Sequence, residues 1–396
     1  METIKTLFWI CFILVFYTYI GYGILMWILV KLKERKNKGK DEEVYSDDDL
    51  QEVTLLVAAY NEEAVIDAKM ENTYSLKYPK EKLHLVWVTD GSNDKTNELL
   101  SQYKDVEVLF EPERKGKTSA INRAMTYVST PIVIMTDANT MLNEEAIVEM
   151  VKPFKDKTIG CVAGEKRIMT KTRSGVAAGG EGMYWKYEST LKDLDARLYS
   201  AMGAAGELFA LRTDLFEKME SDTLLDDFVL SMRIVLKGFR IAYTKKAFAI
   251  ESGSKDMHEE EKRKVRIAAG GMQSIIRLKA LLNPLKYGIV TFEYISHRVL
   301  RWSITPIAFF LMFPLNLFLA FAITNGGEAI FYLLLMMGQM LFYLLGYWGY
   351  VLSRLRIKSP KLYIVYYFLF MNINVIKGFF YLSRHHSGVW EQSQRA

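Results

Sequence analysis

Residues 7–30, LFWICFILVFYTYIGYGILMWILV, carry no charged side chain and are long enough to cross the hydrocarbon core of a bilayer. In that solvent every backbone N–H and C=O must be satisfied within the segment, which commits the run to helix. Two further runs, 303–324 (SITPIAFFLMFPLNLFLAFAIT) and 329–352, meet the same test. A fourth, 362–382, is broken by Asn372, Asn374 and Lys377 and reads as a span or as a re-entrant or interfacial segment. All four lie toward the ends of the chain, so a soluble fold is confined to the middle. The expected order is an anchor over 1–30, a basic then acidic linker over 31–50 and a soluble domain over 51–271. Amphipathic interface helices follow over 272–302, and a membrane region over 303–396.

The first run is too long for a cleaved leader and no small-residue cleavage site follows it, so a retained anchor is expected. Lys31, Lys33, Arg35, Lys36, Lys38 and Lys40 come directly after it, and Arg354, Arg356, Lys358 and Lys361 follow the third run. Basic residues of this kind stay on the cytoplasmic side, which puts the 50–300 region in the cytoplasm, by default at a bacterial inner membrane. The net charge of +5 is thus mostly juxtamembrane and suits membrane lipids rather than nucleic acid. The two cysteines, Cys11 and Cys161, fall on opposite sides of this division and predict neither a metal cluster nor a disulfide.

The soluble middle alternates two patterns. VTLLVAA (53–59), LHLVWVT (83–89), VEVLF (106–110) and PIVIMT (131–136) are short apolar, β-rich runs. Between and after them come helical stretches, one opening at Glu62 and Glu63, one near Asn93 or Asp94, then 117–128 and 143–151. Continuous apolar strands alternating with helices predict an α/β fold with a mainly parallel sheet and helices on both faces. Ligands of such sheets bind beyond the carboxyl ends of the strands. Polar groups gather there: Tyr60-Asn61-Glu62, Asp90, Gly116-Lys117, and Asp137 followed by Asn139. Neither GxGxxG after the first strand nor GxxxxGK[ST] occurs, which leaves dinucleotide and P-loop readings without support.

In order, LLVAAYNEE (55–63), VTDGSNDKT (88–96), GKTSAIN (116–122), TDAN (136–139), GAAGELFALR (203–212), LLDDF (224–228) and RKVRIAAGG (263–271) make the chain similar to the family-2 glycosyltransferases with a GT-A catalytic domain. The similarity runs from about residue 50 to 275, and the flanking spans resemble the membrane-integrated hyaluronan, cellulose and poly-N-acetylglucosamine synthase group. The resemblance implies that Tyr60, Glu62 and Asp90 line a nucleotide pocket, with Asp90 near the base, and that Lys117 approaches the diphosphate. It implies that Asp137 holds Mg2+ or Mn2+ against that diphosphate. Asp226 and Asp227 match the acid pair of the family's TED motif, the second being the base. Asp227 also precedes a helical run, whose dipole favours an ionised carboxylate. Gly203 and Gly206 would lie by the acceptor. Trp185, in GMYWKYE, can stack on a sugar or serve as packing.

Two departures stand out. The family's DxD is DAN here, so Asn139 supplies an amide oxygen where a second carboxylate is usual. RKVRI at 263–267 stands where processive synthases carry QxxRW and retains only Arg266. Arg263, Lys264 and Arg266 read either as contacts to the diphosphate or as a basic face on lipid headgroups. RVLRW at 298–302 has the Arg-Trp pair but reads as an interface anchor beside the next span.

The expected protein is an inverting transferase using a nucleotide diphosphosugar, UDP-linked by default, with a lipid or lipid-linked glycan as acceptor. The alternatives are a processive polysaccharide synthase, which is disfavoured by the missing tryptophan, and a non-catalytic membrane scaffold that binds nucleotide sugars.

Overall fold

The computed structural model describes residues 1–36, 50–169, 176–324, 326–355, 357 and 359–384. The acidic stretch over 41–49 and Lys38, Lys40, Arg356 and Lys358 of the basic clusters lie outside the described residues.

Among the described residues, eight strands form one sheet. They are β1 (Val53–Ala59), β2 (Leu83–Asp90), β3 (Val106–Glu111), β4 (Ile132–Asp137), β5 (Thr140–Leu142), β6 (Ile159–Met169), β7 (Phe209–Arg212) and β8 (Arg240–Ser252). Their order across the sheet is β3-β2-β1-β4-β7-β6-β8-β5. The run β3-β2-β1-β4 is parallel throughout, and β6 is parallel to β8. β7 runs antiparallel to both β4 and β6, and β5 is antiparallel to β8, so the far half is mixed. Register aligns the strand ends that matter: Ala59 lies opposite Thr89, and Ala58 opposite Asp137.

Strand side chains alternate between faces, and both faces are covered. Leu55, Val57, Trp87, Ile132 and Ile134 enter one core, while Leu56, Ala58, Val86, Val88, Val133 and Met135 enter the other. That is why β1 and β4 read as unbroken apolar runs. β6 and β8 gave no such signal. Their central pairing shifts register between Gly164 and Glu165, and Lys245 and Lys246 face solvent.

Among the described residues, four helices are long and apolar enough to cross a membrane: Glu2–Lys36, Ile304–Ala322, Gly326–Arg354 and Pro360–Arg384. The last, which contains the stretch 362–382, is one continuous helix. Its Asn372 and Asn374 are buried against the neighbouring helices, and the Tyr19 hydroxyl donates to Asn372 Oδ1 at 2.6 Å. Polar residues in a span are tolerated when they face the bundle interior.

The segment after 272 packs into the domain. Leu278, Leu281, Val290 and Tyr294 join the core under the sheet, while Ile276 and Leu285 stay exposed. Within it, Ile295–Val299 is π-helical, which adds a residue to one turn and re-aims the side chains that follow. The expected interface anchor over 298–302 is therefore corrected. Arg298, Arg301 and Trp302 turn inward and line the central cavity.

Candidate active site

The site forms where the parallel strands end. Beyond β1 the chain turns sharply at Asn61, whose φ of 53° makes it the one non-glycine residue with positive φ among the described residues. The strain is held by a two-way bracket. Asn61 Nδ2 donates to Asn93 Oδ1 at 2.8 Å, and Asn93 N donates to Asn61 Oδ1 at 2.9 Å. Glu62 N donates to Thr96 Oγ1 at 2.8 Å, tying the end of β1 to the loop after β2.

Asp90, at the end of β2, is buried. Its carboxylate accepts from Lys115 N at 3.0 Å and Gly116 N at 2.6 Å. It thereby fixes the turn that launches the helix Lys117–Ala124. Arg114 in the same loop lies 3.9 Å from the centroid of the Tyr60 ring. Tyr60 and Asp90 thus both clamp the 114–117 loop, and Lys117 is delivered as the first helical residue.

Lys117 Nζ reaches Asp137 Oδ1 at 2.6 Å and lies 3.8 Å from Asp226 Oδ2. Burial alone would lower the pKa of this ammonium, but Asp137, Asp226 and Asp227 outweigh it and raise it. Behind Asp137, the buried Lys69 donates to Thr140 O at 2.6 Å and braces the two-residue turn that carries Asn139. Burial lowers the Lys69 pKa to about 7, against the pull of Asp137.

Asp226 and Asp227 open the helix Asp226–Leu236. The Ser231 hydroxyl donates to Asp227 O at 2.8 Å and accepts from Ala204 N at 3.0 Å, joining this helix to the 203–206 loop. Gly203 has a φ of +90°, and a Cβ there would stand 2.2 Å from the Phe228 ring. A Cβ on Gly206 would stand 3.4 Å from Asp227 Oδ2 and 3.5 Å from Lys117 Nζ, ordinary contact distances that place this residue directly beside both groups.

The dipole argument for Asp227 is corrected. Its carboxyl is pushed up to about 7, first by burial and then by Asp226 and Glu207, with Lys117 and the Phe228 N–H opposing. Desolvation and like charges outweigh the helix terminus. A carboxyl poised near neutrality is well matched to accepting a proton.

Asp137, Lys117, Gly206, Asp226 and Asp227 open into a cavity of about 460 Å³. Trp185 lies on its wall, with Lys166 Nζ 4.7 Å from its ring. Arg266 lies there too. Arg263 and Lys264 are not a basic face on headgroups. Arg263 is paired with the buried Glu181 and Glu260, and Lys264 lies 3.5 Å from Glu260 Oε1 and 4.5 Å from the Tyr184 ring centroid. Glu207, Glu188, Lys192, Arg298, Arg301 and Trp302 also line the cavity, and none was expected at the site. Glu207 could have been found from its place in GAAGELFALR, and Arg301 and Trp302 from the Arg-Trp pair of RVLRW; Glu188 and Lys192 carry no local signal.

Among the described residues, no three histidine, cysteine or acidic side chains converge into a self-sufficient metal site. The donors present still fit a hard divalent cation bound together with phosphate. Asp137 lines the cavity, Asn139 follows in the same turn but is not among the lining residues, and Asp137, Asp226 and Asp227 outnumber the single Lys117 ammonium between them. Such ions are commonly held by one or two carboxylates plus substrate phosphates.

Strand-end carboxylates, a sheet parallel over β3-β2-β1-β4 and an acidic helix start that shares their cavity are the features of a GT-A transferase fold. The chain belongs to glycosyltransferase-like family 2, whose model matches residues 51–270. It is similar to the poly-beta-1,6-N-acetyl-D-glucosamine synthases of Staphylococcus aureus (29% identical over 242 residues, 58% of this chain and 57% of the relative) and Staphylococcus epidermidis (26% over 237 residues, 57% and 56%). The chain thus spans a little over half the length of these relatives. In fold it is similar to the mannosyltransferase PcManGT from Pyrobaculum calidifontis, solved with GDP-Man and Mn2+. That likeness has a TM-score of 0.70 at 21% identity and covers 95% of this chain and 99% of the other.

Proposed function

We propose that this protein is a membrane-integrated, inverting glycosyltransferase that moves one or a few sugars from a nucleotide diphosphosugar to a lipid or lipid-linked glycan. The observation that carries the reading is Asp227, a half-buried carboxyl that lines one cavity with Asp137 and Lys117. In a single displacement the acceptor oxygen bonds to the anomeric carbon as the bond from that carbon to the phosphate oxygen breaks. The acceptor proton passes to the Asp227 carboxylate, and the nucleoside diphosphate leaves. Asp137, with Asn139, would hold the divalent cation, Mg2+ or Mn2+, that offsets charge on the leaving diphosphate. Lys117 adds a fixed positive charge at the same place. Tyr60, Glu62, Asp90 and Arg266 are assigned to the donor side. Gly203, Gly206, Asp226 and Trp185 are assigned to the acceptor side.

The membrane acceptor is supported by the cavity wall, part of which comes from Tyr19 and from Phe368 and Met371 of the helix Pro360–Arg384. The basic residues after the first and third spans support a cytoplasmic catalytic domain. The names of the staphylococcal relatives make N-acetylglucosamine the first donor sugar to try, and favour a processive synthase as the second reading.

The test is turnover of a panel of UDP- and GDP-sugars by the purified full chain. Asp227→Asn should lower transfer by about 100- to 10,000-fold, and Asp137→Ala should remove the dependence on added metal. Full turnover by both variants would sink the assignment. Long polymer on a gel would select the processive reading instead.

A further inference from the structure

The cavity has two electrical ends. Around the strand ends the carboxylates dominate. On the side of the helix Val176–Leu198 and the π-helical turn, Lys192, Arg298 and Arg301 line it against Glu207, which is paired with Lys166, and a second carboxylate, Glu188. That carboxylate is already engaged by Arg298 at 2.5 Å and by Arg301 and His297 at 3.3 Å each.

Lys192 is 4% exposed and makes no hydrogen bond or ion pair among the described residues. Burial, and after it Arg298, act against its charge, and Glu188, Asp227 and Glu207 act for it from beyond pairing distance. Two further donors on the same wall, Trp185 Nε1 and Arg301 Nε, are buried without a partner. A buried donor left unpaired is costly, so a cluster of three is informative. All three are donors, which asks for a ligand rich in acceptor oxygens. The adjoining wall is apolar and belongs to membrane helices: Tyr19, Ile364, Phe368, Met371 and Val375.

We propose that this end of the cavity binds the phosphate of a lipid phosphate, with Lys192 as its principal ligand and the hydrocarbon chain lying along the helix Pro360–Arg384. The inference rests on the transferase reading above and narrows its acceptor to an anionic, phosphate-bearing lipid. Phosphate oxygens could also come from the nucleotide donor. Lys192 lines the cavity together with Tyr19, Phe368 and Met371 of the long apolar helices, whereas Asp90 and Tyr60 are not among its lining residues, and this favours the lipid.

The test is direct binding to the purified full chain in detergent, with farnesyl phosphate, farnesol, inorganic phosphate and UDP as probes. Farnesyl phosphate should bind about tenfold or more tightly than farnesol, as expected for hydrogen bonds to a buried charge. Lys192→Met, which keeps the length of the side chain, should lose about tenfold in farnesyl phosphate affinity, and Lys192→Arg should recover most of it. UDP binding should change far less. Equal binding of alcohol and phosphate by the unmodified protein overturns the proposal, and that comparison needs no variant to fold. So does inorganic phosphate competing as well as the lipid, or a loss in Lys192→Met that falls on UDP. The outcomes separate from those of the transferase reading. Absence of sugar turnover with charge-dependent lipid binding refutes the transferase alone, and turnover without such binding refutes the lipid site alone.

Discussion

The two ends of the cavity are built by different means. At the strand ends, charged groups are fixed by backbone. Asp90 accepts main-chain N–H groups of Lys115 and Gly116, Asn61 brackets the loop at Asn93, and Lys117 starts a helix that the same loop aims. At the membrane end, charged groups are fixed by other side chains from distant parts of the chain. Arg263 lies between Glu181 and Glu260, and Glu260 also accepts from Ser254 Oγ at 2.7 Å and from the Tyr367 hydroxyl at 2.8 Å. Asp195 receives the Tyr22 hydroxyl at 2.6 Å and sits against His297 Nδ1 at 2.5 Å. The first construction is local and modular, whereas the second couples the catalytic domain to the membrane helices. Damage should therefore stay local at one end and spread at the other.

The largest effect is expected in the side-chain cage. Arg263 and Lys264 balance Glu181 and Glu260, all four buried. Glu260→Gln leaves a surplus buried charge and one acceptor oxygen where Tyr367, Ser254 and Arg263 share two. Breaking a buried pair in this way costs about 3–5 kcal/mol. Thermal unfolding in detergent should fall steeply, and the helix Pro360–Arg384 should lose hydrogen-exchange protection together with Met257–Arg277. An unchanged melting temperature would mean that the cage does not join the two regions.

Asp90→Asn tests the other end. An amide offers one acceptor oxygen and no charge where the carboxylate serves two main-chain N–H groups. The loss should be about 1–3 kcal/mol. It should be confined to faster amide exchange at Lys115 and Gly116 and to weaker donor binding through a looser Lys117. Exchange that accelerates across the membrane helices as well would erase the contrast between the two ends.

The same contrast explains what was legible in the sequence. The strand-end groups were readable because each lies within a few residues of the apolar run that positions it. PIVIMTDAN is strand and ligand in one phrase, and the four parallel strands fell within a residue of their expected bounds. The antiparallel β7 joins the sheet between β4 and β6 only because the intervening helix returns the chain there, which no local pattern states. Lys192 and Arg298 are far apart in sequence and meet only when the π-helical turn packs against the helix Val176–Leu198. RVLRW was misread for the same reason. Its composition suits a membrane interface, and its direction is set by a helical defect that leaves no mark in residue type. Lys69 behind Asp137 was equally hidden, a lone lysine in an otherwise ordinary amphipathic helix.

The smallest expected effect lies at the junction of the two ends, in the titration of Asp227. Its carboxyl sits at about 7 because burial, Asp226 and Glu207 all disfavour the charged form. Transfer needs that form, so kcat/KM should fall about tenfold per pH unit below 7 and level off above it. Stability should run the other way. A carboxyl whose folded pKa is raised stabilises the fold fully below its unfolded value, near 4, and loses that contribution as pH rises through 7. Asp226→Asn removes one like charge at the helix start. The acid limb should then move to lower pH, by about one unit or less given the opposing Lys117. Glu207 belongs to the membrane end, where Lys166 pairs with it and, at 2.5 Å, with Glu251. Burial works against its charge, but Lys166 outweighs it and holds the Glu207 carboxyl at about 2. Glu207→Gln should therefore also shift the acid limb down, but with a loss of stability that Asp226→Asn lacks, because it leaves Lys166 short of a partner. A limb that stays in place in both variants would show that neither end of the cavity sets the proton affinity of Asp227.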